Sequence, residues 1–269
     1  MDAIRVTVRR GDTIEAIHHV HVRSTAGDRA GDDMRCFLRS SLKPIQAIPL
    51  VDAYGDLADE EIAIACSSHQ AEPDQLNAVR RLLGRAGAEV DDLECGTQEG
   101  RPDGRLGHNC SGKHAGMLAA CRANDWPQHP YRAPEHPLQR RIAELVGSSA
   151  TGIEGCGVPT FAMPLSGMAA LFSTTPPRVA EAMTARPDLV GGRNADDTDL
   201  MRALPGWIAK RGAEGLLCAR SPEGVAFAFK SEDGSSRALR PAIARVLGLD
   251  AFASVPVRNS LGEVVGSIE

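Results

Sequence analysis

Residues 3–22 read AIRVTVRRGDTIEAIHHVHV. Ile4, Val6 and Val8 alternate with polar neighbours, then Ile14, Ala16, His18, Val20 and Val22 do the same, and Gly11-Asp12 stands between the two runs. Period-two alternation sends successive side chains to opposite faces, and a Gly-Asp break permits a tight reversal. The stretch therefore predicts an antiparallel hairpin, strands over 3–9 and 14–22, with one buried face. His18 falls on one face and His19 and His21 on the other. No acidic or cysteine partner follows at ligand spacing, so these histidines read as surface or cross-strand residues. Working outward, 24–34 is a polar loop. A helix is expected over 42–54, with Pro44 in its first turn and a kink or break at Pro49. Another opens at Pro73 and closes near Gly87. After a polar loop over 98–109 comes a helix over 112–123, rich in Ala and Gly for close packing. Amphipathic helices are expected over 136–146, 177–186, 198–210 and 236–247, and a short apolar strand over 224–230. A hairpin, then helices, then late strands fit an α+β fold in one domain, 1–269, better than alternating βαβ units.

The composition removes several classes of function. The chain has 269 residues, is 42% hydrophobic and 24% charged, and carries a net charge of -5. An acidic balance with few aromatics argues against a nucleic-acid or anionic-membrane partner. No run of about 18 apolar residues offers a membrane span. The first residues lack the apolar segment of a signal peptide. Seven cysteines at irregular spacing do not form a disulfide framework, which points to a reducing, cytoplasmic setting. Cys66 and Cys121 read as buried hydrophobes, and Cys218 as core.

The lysines are more telling. Only four stand beside twenty-six arginines. Lys43 lies in Ser40-Ser41-Leu42-Lys43, Lys113 in Cys110-Ser111-Gly112-Lys113, and Lys230 ends the run Val225–Phe229. Lys210, in Ala209-Lys210-Arg211, reads as ordinary surface charge. A lysine amine can lose its proton and serve as base or ligand, whereas an arginine cannot. Such service near neutrality requires lowering the proton affinity by about 4 kcal/mol, which burial and nearby cations can supply. On a helix, Ser40 and Lys43 share a face, so their side chains can meet and the serine can become a nucleophile. Ser67-Ser68-His69 follows an apolar run, where a serine can reach a cleft or simply cap the next helix. Cys110, Lys113 and Cys156 suggest a three-ligand metal site, with His108 or His114 as the more conventional third donor. Two buried cysteines on glycine turns would look the same.

Taken together, Arg39–Gln46, Ser67–His69, Asn109–His114, Glu154–Pro159 and Phe229-Lys230 resemble the L-asparaginase II family of the rhizobial type, the zinc-binding serine–lysine asparaginases. The stretches span nearly the whole chain, in the family's order. The resemblance implies a fold similar to serine β-lactamases and glutaminases, a mainly antiparallel sheet flanked by helices, and a homodimer. It implies two Ser–Lys tandems, Ser40 with Lys43 and Ser68 with Lys230. It further implies zinc held by Cys110, Lys113 and Cys156, and substrate contacts from Arg39, Glu154 and His69. Glu154 stands where the family often carries Asp. The activity implied is hydrolysis of L-asparagine to L-aspartate and ammonia, with Ser40 attacking after Lys43 takes its proton. Two other readings are another Ser–Lys acyl transferase, glutaminase- or β-lactamase-like, and a non-catalytic zinc-stabilised binding protein.

Overall fold

The computed structural model describes residues 1–148 and 150–269. Its strands are β1 (Ile4–Arg10), β2 (Thr13–Ser24), β3 (Arg29–Ala30), β4 (Arg35–Phe37), β5 (Thr151–Ile153), β6 (Pro159–Pro164), β7 (Ile208–Gly212), β8 (Leu216–Arg220), β9 (Ala226–Ser231), β10 (Val255–Arg258) and β11 (Val264–Ile268). The hairpin expected at the N-terminus is β1–β2, with Val6 opposite His18 and Ile4 opposite Val20. It forms the middle of a sheet ordered β10-β11-β1-β2-β9-β8-β7, with β3 added along β2. Every neighbouring pair is antiparallel. A second, small sheet runs β4-β6-β5. The architecture is thus α+β, a mainly antiparallel sheet flanked by helices.

Hydrophobic pattern accounts for the layers. Val6, Val8, Val20 and Val22 on the hairpin are buried, as is all of β9. Helix Leu165–Ser173 packs on β2, β8 and β9, and helix Leu239–Leu247 on β1 and β9. The remaining large body is helical. Helices Ile48–Ala53, Asp59–Ala65, Pro73–Ala86, Ser111–Ala123 and Pro177–Ala185 pack on one another. This body meets the sheet along β7, against which the 3-10 turn Arg39–Leu42 and helices Asp196–Ala203 and Pro177–Ala185 lie. Among the described residues, no helix is long and apolar enough to cross a membrane.

Two local expectations are corrected. The helix expected over 42–54 is interrupted at Ala47, not at Pro49. Proline has no N–H to donate, so the chain restarts its helix at Ile48 and leaves Pro49 in a first turn, where no donor is needed. The helix expected over 198–210 stops at Ala203. Pro205-Gly206 cannot continue it, and 208–212 becomes β7. That change overturns the reading of Lys210 as surface charge. In a strand its side chain turns inward, and Lys210 and Asp197 form an ion pair at 2.9 Å with both side chains fully buried. Burial drags the Lys210 amine down to about 8 against the pull of Asp197. Burial raises Asp197, but Lys210 and Arg211 outweigh it and hold the carboxyl below its ordinary value.

Close packing inside the helical body depends on Gly112. A Cβ at this position would stand 2.2 Å from the Ile64 carbonyl oxygen, so helix Ser111–Ala123 approaches helix Asp59–Ala65 nearer than any side chain allows. Gly112→Ala is expected to destabilise the fold by about 1–3 kcal/mol through overpacking. Urea unfolding of the variant beside wild type checks this, and an unchanged midpoint would contradict the packing.

Candidate active site

Four segments, 39–43, 67–69, 110–113 and 154–156, bring most of the sequence-predicted residues together. Arg39 opens a 3-10 turn, Arg39–Leu42, that runs into helix Lys43–Gln46. Arg39 has a φ of 47°, a left-handed conformation unusual outside glycine, immediately before Ser40. Ala71, three residues after Ser68, has a φ of 63°. Strain of this kind costs about 1–3 kcal/mol and persists only where surrounding structure imposes it. Here it brackets both candidate serines.

The centre of the cluster is the amine of Lys43, which is 1% exposed. It donates to the Ser67 carbonyl and lies 3.0 Å from Ser68 Oγ and 3.3 Å from Cys110 Sγ. The serine it meets is therefore Ser68, not the Ser40 expected from helical spacing. Ser40 is half-buried and has no side-chain hydrogen bond among the described residues. Lys230 does not meet Ser68 either. It pairs with His21 across β2–β9, and its amine donates to the Ser231 carbonyl. Lys230 and Arg39 instead line one cleft of about 330 Å3, together with Cys36, Phe37 and Glu214.

The thiols lie directly behind Lys43. Cys110 precedes the first turn of helix Ser111–Ala123, where the free N–H groups favour negative charge. A hydrogen bond with Cys156 holds the Cys110 thiol well below its ordinary value. Burial opposes this, and Lys43 and Lys113 add to it. The Lys113 amine stands 3.0 Å from Cys156 Sγ. Burial lowers its proton affinity, but Cys156 and Cys110 outweigh burial and raise it. His114 lies on the same turn with its Nδ1 on the Tyr131 hydroxyl at 2.7 Å, while its Nε2 is buried without a partner. Among the described residues no three His, Cys, Asp or Glu side chains are grouped to hold a metal. The two thiols need Lys113 as third donor, and that set of soft sulfur plus nitrogen suits zinc.

Arg39 Nε donates to Glu154 Oε2 at 3.1 Å, while Glu154 Oε1 is buried with no partner. The pair offers a cationic group and an unsatisfied carboxylate oxygen side by side. His69, expected at the substrate, is turned into the protein. Its Nδ1 accepts from the Ala71 N–H at 3.1 Å, which leaves Nε2 to donate to Ser111 Oγ at 2.8 Å. Both nitrogens hold the turn after Ser68 in shape. Sequence reading missed Asp197, Lys210 and Arg211, whose guanidinium donates to the Ser68 carbonyl at 3.1 Å. The scarcity of lysine, applied to the other three, was the available signal for Lys210. Cys218 is fully buried in β8, where burial pushes its thiol up to about 12.

A buried amine between a serine hydroxyl and a thiolate, with a charged pair at the neighbouring cleft, is equipment for acyl transfer to or from a small polar molecule. The family model of L-asparaginase II matches residues 6–269, and the chain belongs to that family. It is an amidohydrolase. A search of curated proteins finds no match. Among solved structures the chain is similar to a β-lactamase from Mycobacterium bovis, at 14% identity over 93% of this chain and 95% of that one, with a TM-score of 0.36.

Burial, aided by the positive charges of Lys43 and Arg101, lowers the His69 pKa from 6.5 to about 3. Between those values the unfolded chain takes up a proton that the folded chain refuses. Stability is then complete above about 6.5, falls as pH drops below it, and stops falling on this account near 3. His69→Gln is expected to unfold more readily than wild type at neutral pH but to lose less stability between pH 6.5 and 5, a range above most carboxylate titration. Urea midpoints across that range check it, and equal slopes would refute it.

Proposed function

We propose that the protein hydrolyses the side-chain amide of L-asparagine to L-aspartate and ammonia through an acyl-enzyme on Ser40. The observation that carries this reading is the Lys43 amine, buried and 3.0 Å from Ser68 Oγ, one turn after Ser40, a half-buried serine without a side-chain hydrogen bond among the described residues. A neutral amine has two hydrogens and one lone pair. The Ser67 carbonyl and the Cys110 sulfur both accept, so they suit the two hydrogens, and the lone pair is left for a hydroxyl proton. Ser40 stands three residues before Lys43 on the continuous turn Arg39–Gln46, the spacing at which two side chains share a face.

The Ser40 oxygen attacks the amide carbon as its proton passes to Lys43 Nζ. Collapse of the tetrahedral intermediate needs a proton on the departing nitrogen. Ser68 supplies it and is reprotonated from Lys43, so ammonia leaves and both groups return to their starting states. Water then attacks the ester carbon, its proton returns to the Ser40 oxygen, and aspartate departs. Arg39 matches the substrate carboxylate, and the unpartnered Glu154 Oε1 its ammonium. Lys230, at the same cleft, adds positive charge where the anion enters.

Cys110, Cys156 and Lys113 are the residues that would hold zinc. The chemistry supplied there is fixed positive charge that orients the substrate, since the serines already provide the nucleophile. Cys156 and Cys110 outweigh burial and raise the Lys113 amine above its ordinary value. Coordination needs its lone pair, so zinc uptake near pH 7 is expected to release protons. Calorimetric titration of the metal-stripped protein in two buffers of different ionisation enthalpy measures the number, and zero protons would exclude Lys113 as a ligand.

Ammonia release from L-asparagine and L-glutamine tests the central reading. Wild type is expected to act on asparagine. Lys43→Arg, which keeps charge but cannot deprotonate, is expected to lose about 10²-fold or more in kcat, the usual contribution of a general base. Ser40→Ala and Ser68→Ala should each abolish most turnover. An active Ser40→Ala enzyme beside an inactive Ser68→Ala enzyme would move the nucleophile to Ser68, and no release from either amide would reject the reading.

A further inference from the structure

The largest buried charged group outside this chemistry is the ion pair Lys210–Asp197, and it stands one residue from a side chain that touches the serine segment. Ser67, Ser68 and His69 follow helix Asp59–Ala65 outside any helix or strand, so most of their backbone groups need partners from elsewhere. The Ser68 N–H donates to the Val190 carbonyl at 2.9 Å and the His69 N–H to the Asn109 carbonyl at 3.2 Å. The Ser67 carbonyl is taken by Lys43. The carbonyl of Ser68 itself accepts from Arg211 at 3.1 Å.

A long side chain fixes an atom only if it is itself fixed, and Arg211 is held from several sides. Its guanidinium also donates to the Gly191 carbonyl at 3.4 Å. Its own N–H donates to Asp197 Oδ2 at 3.3 Å, and its carbonyl accepts from Lys210 Nζ at 3.0 Å. The same Lys210 amine stands 2.9 Å from Asp197 Oδ2. Gly191 is pressed against this carboxylate so closely that a Cβ would lie 2.2 Å from Asp197 Oδ1. The buried pair thus clamps both the backbone that carries Arg211 and the 190–191 segment that binds the Ser68 N–H.

We propose that Arg211, clamped by the Lys210–Asp197 pair, is a positioning residue that fixes the Ser68 hydroxyl against Lys43. Arg211 reaches no reacting atom. It acts through the Ser68 carbonyl, and a displacement of about 1 Å at a proton-transfer partner costs up to about 10²-fold in rate. A guanidinium suits the task because one Nη2, held in a rigid plane, carries two N–H groups that reach carbonyls on two separate segments.

The kinetic arm of the test rests on the amide hydrolysis proposed above; the structural arm does not. The Arg211 guanidinium is partly exposed, so Arg211→Met removes it without stranding a buried charge. We expect kcat on L-asparagine to fall at least tenfold with KM within twofold, and Arg211→Lys, which restores one donor, to recover part of the loss. The double variant Lys210→Met with Asp197→Asn, which touches nothing in the site, should reproduce the kcat loss. A crystal structure of Arg211→Met should show Ser68 Oγ moved away from Lys43 Nζ. A kcat within twofold of wild type in Arg211→Met overturns the proposal, as does a structure in which the Lys43–Ser68 contact is unchanged. An inactive wild type would reject the amidase reading alone, and the crystal structure would still decide the role of Arg211.

Discussion

Everything at the candidate site depends on keeping one amine, that of Lys43, out of water. A buried amine must find partners for its hydrogens and lone pair or lose several kcal/mol. Its three partners come from two distant stretches, the exit of helix Asp59–Ala65 and the start of helix Ser111–Ala123. Those helices can present Ser67, Ser68 and Cys110 to one point only because Gly112 lets them approach without a side chain between. Lys43 reaches that point because its own turn begins at Arg39 in a left-handed conformation. A packing constraint and a backbone constraint therefore precede the chemistry.

Electrostatics at the site then follow from alternation of sign rather than from any single charge. Lys43 and Lys113 help to hold the Cys110 thiol below its ordinary value, and Cys156 and Cys110 in turn raise the Lys113 amine. What stays unsatisfied is informative in the same way. Glu154 Oε1 and His114 Nε2 are buried polar atoms without a partner. Leaving such atoms unpaired costs about 1–3 kcal/mol each. One belongs to the carboxylate that pairs with Arg39. The other stands on the turn after Lys113, close to the Cys156 thiol.

The parts of this arrangement legible in the sequence are those that depend on near neighbours along the chain. The hairpin over 3–22 and the helix from Pro73 to Gly87 follow from local periodicity and turn residues, and both form. Family motifs located the residues but not their partners. Spacing alone paired Lys43 with Ser40, yet an amine on four flexible carbons can swing to whichever neighbour tertiary packing offers, and that neighbour is Ser68. The 198–210 stretch was misread because its apolar residues fit a helix while Pro205-Gly206 forbids one. Position 210 then changed from exposed helix to buried strand. Arg211 carries no local signal at all, since its role lies in a carbonyl more than a hundred residues away.

Lysine scarcity proves more informative than first read. All four lysines are buried, against an expectation that one would be surface charge. Burial is common to the four, and what distinguishes them is the partner each amine meets. Lys210 faces a carboxylate at 2.9 Å, a partner that stabilises the protonated form wherever the carboxylate is ionised. Lys43, Lys113 and Lys230 face hydroxyl, thiol and carbonyl groups, and among the described residues none forms an ion pair with a carboxylate. Lys210, the one lysine paired with a carboxylate, ties β7 to helix Asp196–Ala203, whereas Lys43 and Lys113 join segments far apart in the chain through carbonyl, hydroxyl and thiol groups.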